Sequence, residues 1–200
     1  MFADGGKTLI LLSLGLLLSL VLFYHFIYSS LIILILGTIQ LLSILYFFRD
    51  PERDIADKIC SPADGKIQSI DTDNNCIEIF MNIWDVHVNR TPCPGLIEEI
   101  KHMKGKHSPA FSKNARDNER QLLVLSTDHG KVKIWQIAGM IARRIVPYVE
   151  EGEVIEKGER LGMIRFGSKV KVEFAEGVEF SVEEGQKVKA GKTSLGEWNE

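Results

Sequence analysis

The first 48 residues constrain this chain more than anything after them, because they are almost purely apolar. Leu9 to Tyr24 reads LILLSLGLLLSLVLFY, and after His25 to Ser30 a second run extends from Leu31 to Phe48. At 1.5 Å per residue the second run reaches roughly 27 Å, close to the hydrocarbon thickness of a bilayer. The pattern predicts a transmembrane helical hairpin, with helices over about 9–28 and 31–48, as an anchor occupying residues 1–50. The linking residues carry no formal charge, and His25 and Tyr28 suit a membrane interface. Lys7 precedes the hairpin and Arg49 and Arg53 follow it, which predicts both termini on the cytoplasmic side of the cell membrane. A cleaved signal peptide is the competing reading. The length of the first run, the lack of a small-x-small site after it and the immediate second run all disfavour it.

Pro51 marks the boundary with residues 51–200, which have the composition of an ordinary soluble domain. β-rich runs of strand length recur at Lys66 to Ile70, Cys76 to Ile83, Gln121 to Ser126, Lys131 to Ile137, Arg144 to Val149, Leu161 to Phe166 and Val170 to Phe174. Turn clusters such as Asp71-Thr72-Asp73-Asn74-Asn75 separate them, and no long 3.6-residue period appears, so the class is mostly β. Glu151-Gly152-Glu153-Val154-Ile155-Glu156-Lys157-Gly158 recurs as Glu184-Gly185-Gln186-Lys187-Val188-Lys189-Ala190-Gly191. That rhythm resembles the turns of biotinyl and lipoyl sandwiches, and Ser61-Pro62-Ala63-Asp64-Gly65-Lys66-Ile67 resembles their opening strand. The expected architecture is a barrel-sandwich hybrid of biotinyl type. A formal net charge of −3 argues against nucleic acid as a partner. Cys60, Cys76 and Cys93 have no C-x-x-C spacing, which predicts no disulfide framework and no metal site.

Four places carry candidate chemistry. In Arg165-Phe166-Gly167-Ser168, a hydroxyl follows a glycine whose carbonyl can be approached closely, so Ser168 can attack its own preceding peptide bond if a base takes the proton. Gly-Ser pairs are usually ordinary turns. Asp64 lies in a turn-forming sequence, where an aspartate commonly serves the turn itself. If the strand from Ile77 continues, Asp85, His87 and Asn89 share one face, and a histidine near a carboxylate can pass protons to and from a serine. The competing reading is a solvated edge strand. Arg143 and Arg144 interrupt an apolar run and point to opposite faces of a strand, so one of them needs a carboxylate or a phosphate.

Taken in order, Phe47-Phe48-Arg49-Asp50-Pro51, Ser61-Pro62-Ala63-Asp64-Gly65, Asp85-Val86-His87-Val88-Asn89-Arg90, Asn118-Glu119-Arg120, Ala142-Arg143-Arg144 and Arg165-Phe166-Gly167-Ser168 resemble the short form of phosphatidylserine decarboxylase proenzymes, including archaetidylserine decarboxylases. The resemblance implies self-cleavage between Gly167 and Ser168 into a β chain, 1–167, and an α chain, 168–200, held as an α/β heterodimer with room for a higher oligomer. Ser168 Oγ would attack the Gly167 carbonyl and take the acyl group from nitrogen. Elimination of that ester, then hydrolysis, would release ammonia and leave a pyruvoyl group at position 168 as the only cofactor. The implied substrate is a membrane phospholipid with a serine headgroup. Asp64 and His87 match the family's catalytic residues and would form a triad with Ser168. Arg90, Arg143 and Arg144 are candidates for the substrate's phosphate or carboxylate. Arg90 stands where the longer branch of the family has a second histidine, and Lys169 where that branch has threonine. Two rivals remain at this stage: a membrane-tethered biotinyl-like carrier or adaptor without catalysis, and a pyruvoyl decarboxylase of a soluble amino acid, which the membrane segment disfavours.

Overall fold

A computed structural model describes residues 7–105, 117–139, 145–164, 168–175 and 177–199. The chain divides into two compact units, Met1–Tyr46 and Phe47–Glu200. The first unit differs from the expected hairpin, because one continuous helix, α1, runs from Lys7 to Phe47 over 41 residues. His25 to Ser30 contains no Gly, Pro or Asn to stop a helix. Ser19, Ser30, Thr38 and Ser43 each donate to the carbonyl four residues back, at 2.8–2.9 Å, so their hydroxyls are satisfied inside the helix. An 18-residue window within Leu14–Phe47 has a mean hydropathy of 2.3, and the helix is long and apolar enough to cross a membrane.

The second unit is mostly β, as expected. Its strands are β1 (Ile59–Cys60), β2 (Gly65–Asp71), β3 (Cys76–Met81), β4 (Val88–Arg90), β5 (Gly95–Met103), β6 (Arg120–Thr127), β7 (Gly130–Ala138), β8 (Ile145–Pro147), β9 (Val154–Ile155), β10 (Arg160–Ile164), β11 (Ser168–Phe174), β12 (Val178–Phe180), β13 (Lys187–Val188) and β14 (Ser194–Trp198). One sheet has the order β13-β2-β3-β11-β7-β6-β5-β9, and two smaller sheets have the orders β1-β14-β12 and β4-β10-β8. All the pairings are antiparallel. Alternating apolar residues such as Val170, Val172, Ile77, Ile79, Leu123, Leu125, Val132 and Ile134 are fully buried and make the core of this unit.

The topology is duplicated. Read inward from its two ends, the large sheet gives β13, β2, β3, β11 on one side and β9, β5, β6, β7 on the other, and the two small sheets correspond in the same way. Register shifts follow Ile67 in β2 and Ile97 in β5. Gly152 and Gly185 both have φ of 87°, and their N–H groups donate to Ile97 O and Ile67 O at 2.8 Å. Gly158 and Gly191 also have positive φ, and donate to Thr91 O and Ser61 O. The repeated glycines of the sequence are therefore two copies of one left-handed turn arrangement. The opening turns match too: Ser61 Oγ donates to Ala63 O, and Thr91 Oγ1 to Cys93 O, each at 2.7 Å.

Candidate active site

Ser168 is the first residue of β11, the strand that lies between β3 and β7 in the large sheet. It is fully buried opposite Met81 and Ala138. Its Oγ donates to Met81 Sδ at 3.4 Å, and a thioether is a weak acceptor. Among the described residues the hydroxyl is thus held in a dry place with only this weak acceptor. A polar chain reaches the same sulfur from the other side. Gln121 Nε2 donates to Gln136 Oε1 at 3.0 Å, Gln136 Nε2 to Asn89 Oδ1 at 2.8 Å, and Asn89 Nδ2 to Met81 Sδ at 3.6 Å. All three amides are buried, so each fixes the next one's orientation. Asn118 Nδ2 donates to Ala138 O at 2.7 Å, which pins the end of β7 across from Ser168.

The strand from Ile77 does not continue to Asn89 as expected. It ends at Met81, and a turn follows in which Asp85 Oδ2 accepts from the Asn82 N–H at 2.7 Å. Asp85 therefore serves the turn and does not share a strand face with His87. His87 is fully buried just before β4, with its ring on Phe47 at 4.4 Å between centroids. Its carbonyl accepts from Ile164 N, at the end of β10, at 3.3 Å. His87 Nδ1 is 2.9 Å from Asp85 O. A carbonyl only accepts, so Nδ1 carries the proton and the lone pair lies on Nε2. Burial is the main influence on this imidazole and, with the Arg49 charge, pushes its pKa down to about 4, against the pull of the Asp85 carbonyl and, weakest of the four, of the Asp64 charge. It is a neutral base at physiological pH.

Asp64 is buried in the turn before β2. Its carboxylate accepts from Arg53 Nη2 at 2.9 and 3.1 Å and from the Ala190 N–H at 2.8 Å. The matching turn of the duplicate, Thr91-Pro92-Cys93-Pro94-Gly95, has proline in that position and keeps the same shape. The turn does not need an aspartate, which weighs against a merely structural role for Asp64. Arg53 was not singled out in the sequence; it looked like one of several charges flanking the apolar run. The second copy of the Ser/Thr-Pro-x-x-Gly motif, which sets Asp64 apart, was readable there.

Arg90, expected at the substrate's phosphate or carboxylate, has protein partners in the described residues. Its guanidinium donates to Asp50 Oδ1 at 2.9 Å and Gly158 O at 3.0 Å, with the side chain 8% exposed. These bonds tie the chain leaving α1 to the turn before β10. Arg143, Arg144 and Gly167 lie outside the described residues. Lys169 Nζ pairs with Glu78 at 2.8 Å in the centre of the large sheet, 10% exposed, which is no place for the exposed lysine of a carrier.

The family model described as phosphatidylserine decarboxylase matches residues 42–196. A phosphatidylserine decarboxylase proenzyme of Streptomyces coelicolor is 48% identical over 155 residues, covering 76% of this chain and 71% of that protein. One of Thermobifida fusca is 46% identical over 154 residues, covering 75% and 71%. A provisionally named archaetidylserine decarboxylase proenzyme of Archaeoglobus fulgidus is 46% identical over 148 residues, covering 74% of each.

Proposed function

The chain belongs to the phosphatidylserine decarboxylase family, and on that premise we propose that it removes carbon dioxide from the serine headgroup of a membrane phospholipid, phosphatidylserine or archaetidylserine, leaving the ethanolamine lipid. It is a decarboxylase of phospholipid biosynthesis made as a proenzyme. The observation that carries the reading is Ser168: a fully buried hydroxyl at the head of a central strand, with a thioether as acceptor. A side chain kept dry and weakly bonded fits a residue consumed to make a pyruvoyl group. When present, that group supplies an electrophilic carbonyl for the substrate's amine and a sink for the electrons released with carbon dioxide.

The chain's own residues divide the work as follows. His87 Nε2 takes the Ser168 proton as Oγ attacks the Gly167 carbonyl, and later holds a proton for the substrate's Cα. Asp64, fixed by Arg53 and the Ala190 N–H, places a negative charge that favours the imidazolium formed in that step. Asn89 and Gln136 keep Met81 and Ser168 in place. Arg143 and Arg144 are the cations proposed for the lipid phosphate or carboxylate. Arg90, with Asp50 and Gly158 O as partners, is assigned to holding the site's wall. The duplicated glycine turns support the finer reading of the fold as a barrel-sandwich hybrid. The apolar α1 supports a membrane-bound protein, and Arg49 and Arg53, the cations that follow it, are the ground for proposing the catalytic unit on the cytoplasmic side.

Intact mass of the purified protein is the test. We expect fragments 1–167 and 168–200, the smaller one lighter by one ammonia than a chain beginning with serine, and a single uncut chain for Ser168→Ala. An active wild-type preparation with an unmodified serine at 168 would overturn the reading. The carrier alternative is disfavoured, because Lys169 is buried in an ion pair with Glu78.

A further inference from the structure

The turn between β3 and β4 does something unusual for a soluble surface. Asn82 and Asp85 close it from both sides, since the Asp85 side chain accepts from Asn82 N at 2.7 Å and Asp85 N donates to Asn82 O at 2.9 Å. The two residues held outward between them are Ile83, 41% exposed, and Trp84, 67% exposed. A tight turn has no need of large apolar residues at its tip, and polar ones are the common choice there. Trp84 O accepts from Arg49 Nη2 at 2.7 Å. Arg49 is two residues past the end of α1, so covalent geometry alone keeps its Cα within about 7.6 Å of the helix's last residue. Phe48, between them, is also exposed, at 42%. Arg49 lines a cavity of about 360 Å³ with the cations Arg53, Lys189 and Lys192 and the carboxylates Glu52, Asp54 and Asp64, the last of them paired with Arg53.

From this we infer that the Asn82–Asp85 turn is a second membrane contact, with Ile83 and Trp84 seated in the interfacial zone of an anionic bilayer. The inference rests on the reading of α1 as membrane-embedded. Tryptophan favours the headgroup level, where its ring is half apolar and its N–H can remain wet. Isoleucine adds apolar area, and with Arg53 and Asp64 paired, Arg49, Lys189 and Lys192 still outweigh Glu52 and Asp54, a balance that favours anionic lipid. The turn leads directly into His87, so its docking would bring the cavity containing Asp64 to the level of lipid headgroups. A serine phospholipid would then need to rise only part of the way out of the bilayer to be processed.

The experiment uses the full chain in which Trp135 and Trp198 are replaced by phenylalanine, leaving Trp84 as the single emitter. It is reconstituted into vesicles of phosphatidylglycerol and phosphatidylcholine whose acyl chains are brominated close to the headgroup. We expect Trp84 emission to be strongly quenched by bromine and shielded from aqueous iodide. If the double variant fails to fold, the wild-type chain is compared with Trp84→Phe, and the bromine-quenched share should vanish in the variant. Emission open to iodide and insensitive to bromine overturns the inference and leaves the anchor reading intact. Emission shielded from both quenchers means that protein, such as a second copy, covers the turn, and also overturns it. Failure of the chain to float with the vesicles overturns the anchor reading and the inference with it.

Discussion

A histidine held neutral down to about pH 4 is a base over the whole physiological range, and burial does this to His87. The self-cleavage rate of freshly made proenzyme should therefore stay level from about pH 8 to 5 and decline only toward pH 4. An inflection near 6.5, the value of an ordinary imidazole, would show that water reaches the ring during cleavage. Stability follows the same sign. The folded pKa is below the unfolded one, so the contribution is complete above about pH 6.5 and is lost as pH falls toward 4, at most about 3 kcal/mol. The buried thiols behave oppositely. Burial pushes Cys60 to about 11 and Cys93 to about 12, so they remain protonated and poor nucleophiles.

Among the elements, the paired turns decide how the sheet edges are built, and two glycines test them. At Gly65, φ is 146° and an added Cβ would meet Phe80 O at 2.2 Å, a backbone atom that cannot step aside. At Gly152, φ is 87° but a Cβ would meet nothing within 4 Å. Gly152→Ala should cost about 1–2 kcal/mol, the price of a left-handed conformation. Gly65→Ala should cost several times more and stop processing, because it also moves Asp64. Thermal melts of the two variants in detergent check the order. Much of this level was legible beforehand. Each of the seven β-rich runs contains a strand, although Ile83, Tyr148 and Val149 fall outside theirs, and the repeated glycines were visible as a motif. The long strand β5 was missed because Glu98, Glu99 and Lys101 on an exposed edge hide its alternation. The hairpin was wrongly expected because composition marks what is apolar but not where a helix bends. Arg53 could not be placed, since its partner Asp64 is brought to it only by the fold.

At the scale of the molecule, residues 168–200, the smaller product of the proposed cleavage, are woven through the rest. Its β11 pairs with β3 and β7, β13 with β2, and β14 with β1. Val170, Val172 and Leu195 from this fragment are fully buried in the common core. After cleavage the two pieces should co-elute in native chromatography and part only in denaturant; separation under native conditions would contradict the pairing. The interlacing also gives maturation a direction in time. While the backbone is whole, β11 finds its neighbours as part of one chain, at a high local concentration. Once cut, a melted copy must find them by collision between two molecules. The uncut Ser168→Ala protein should therefore recover from denaturant at any dilution, whereas the proposed cleaved form should not recover at high dilution, which would leave its lifetime set by how slowly it comes apart.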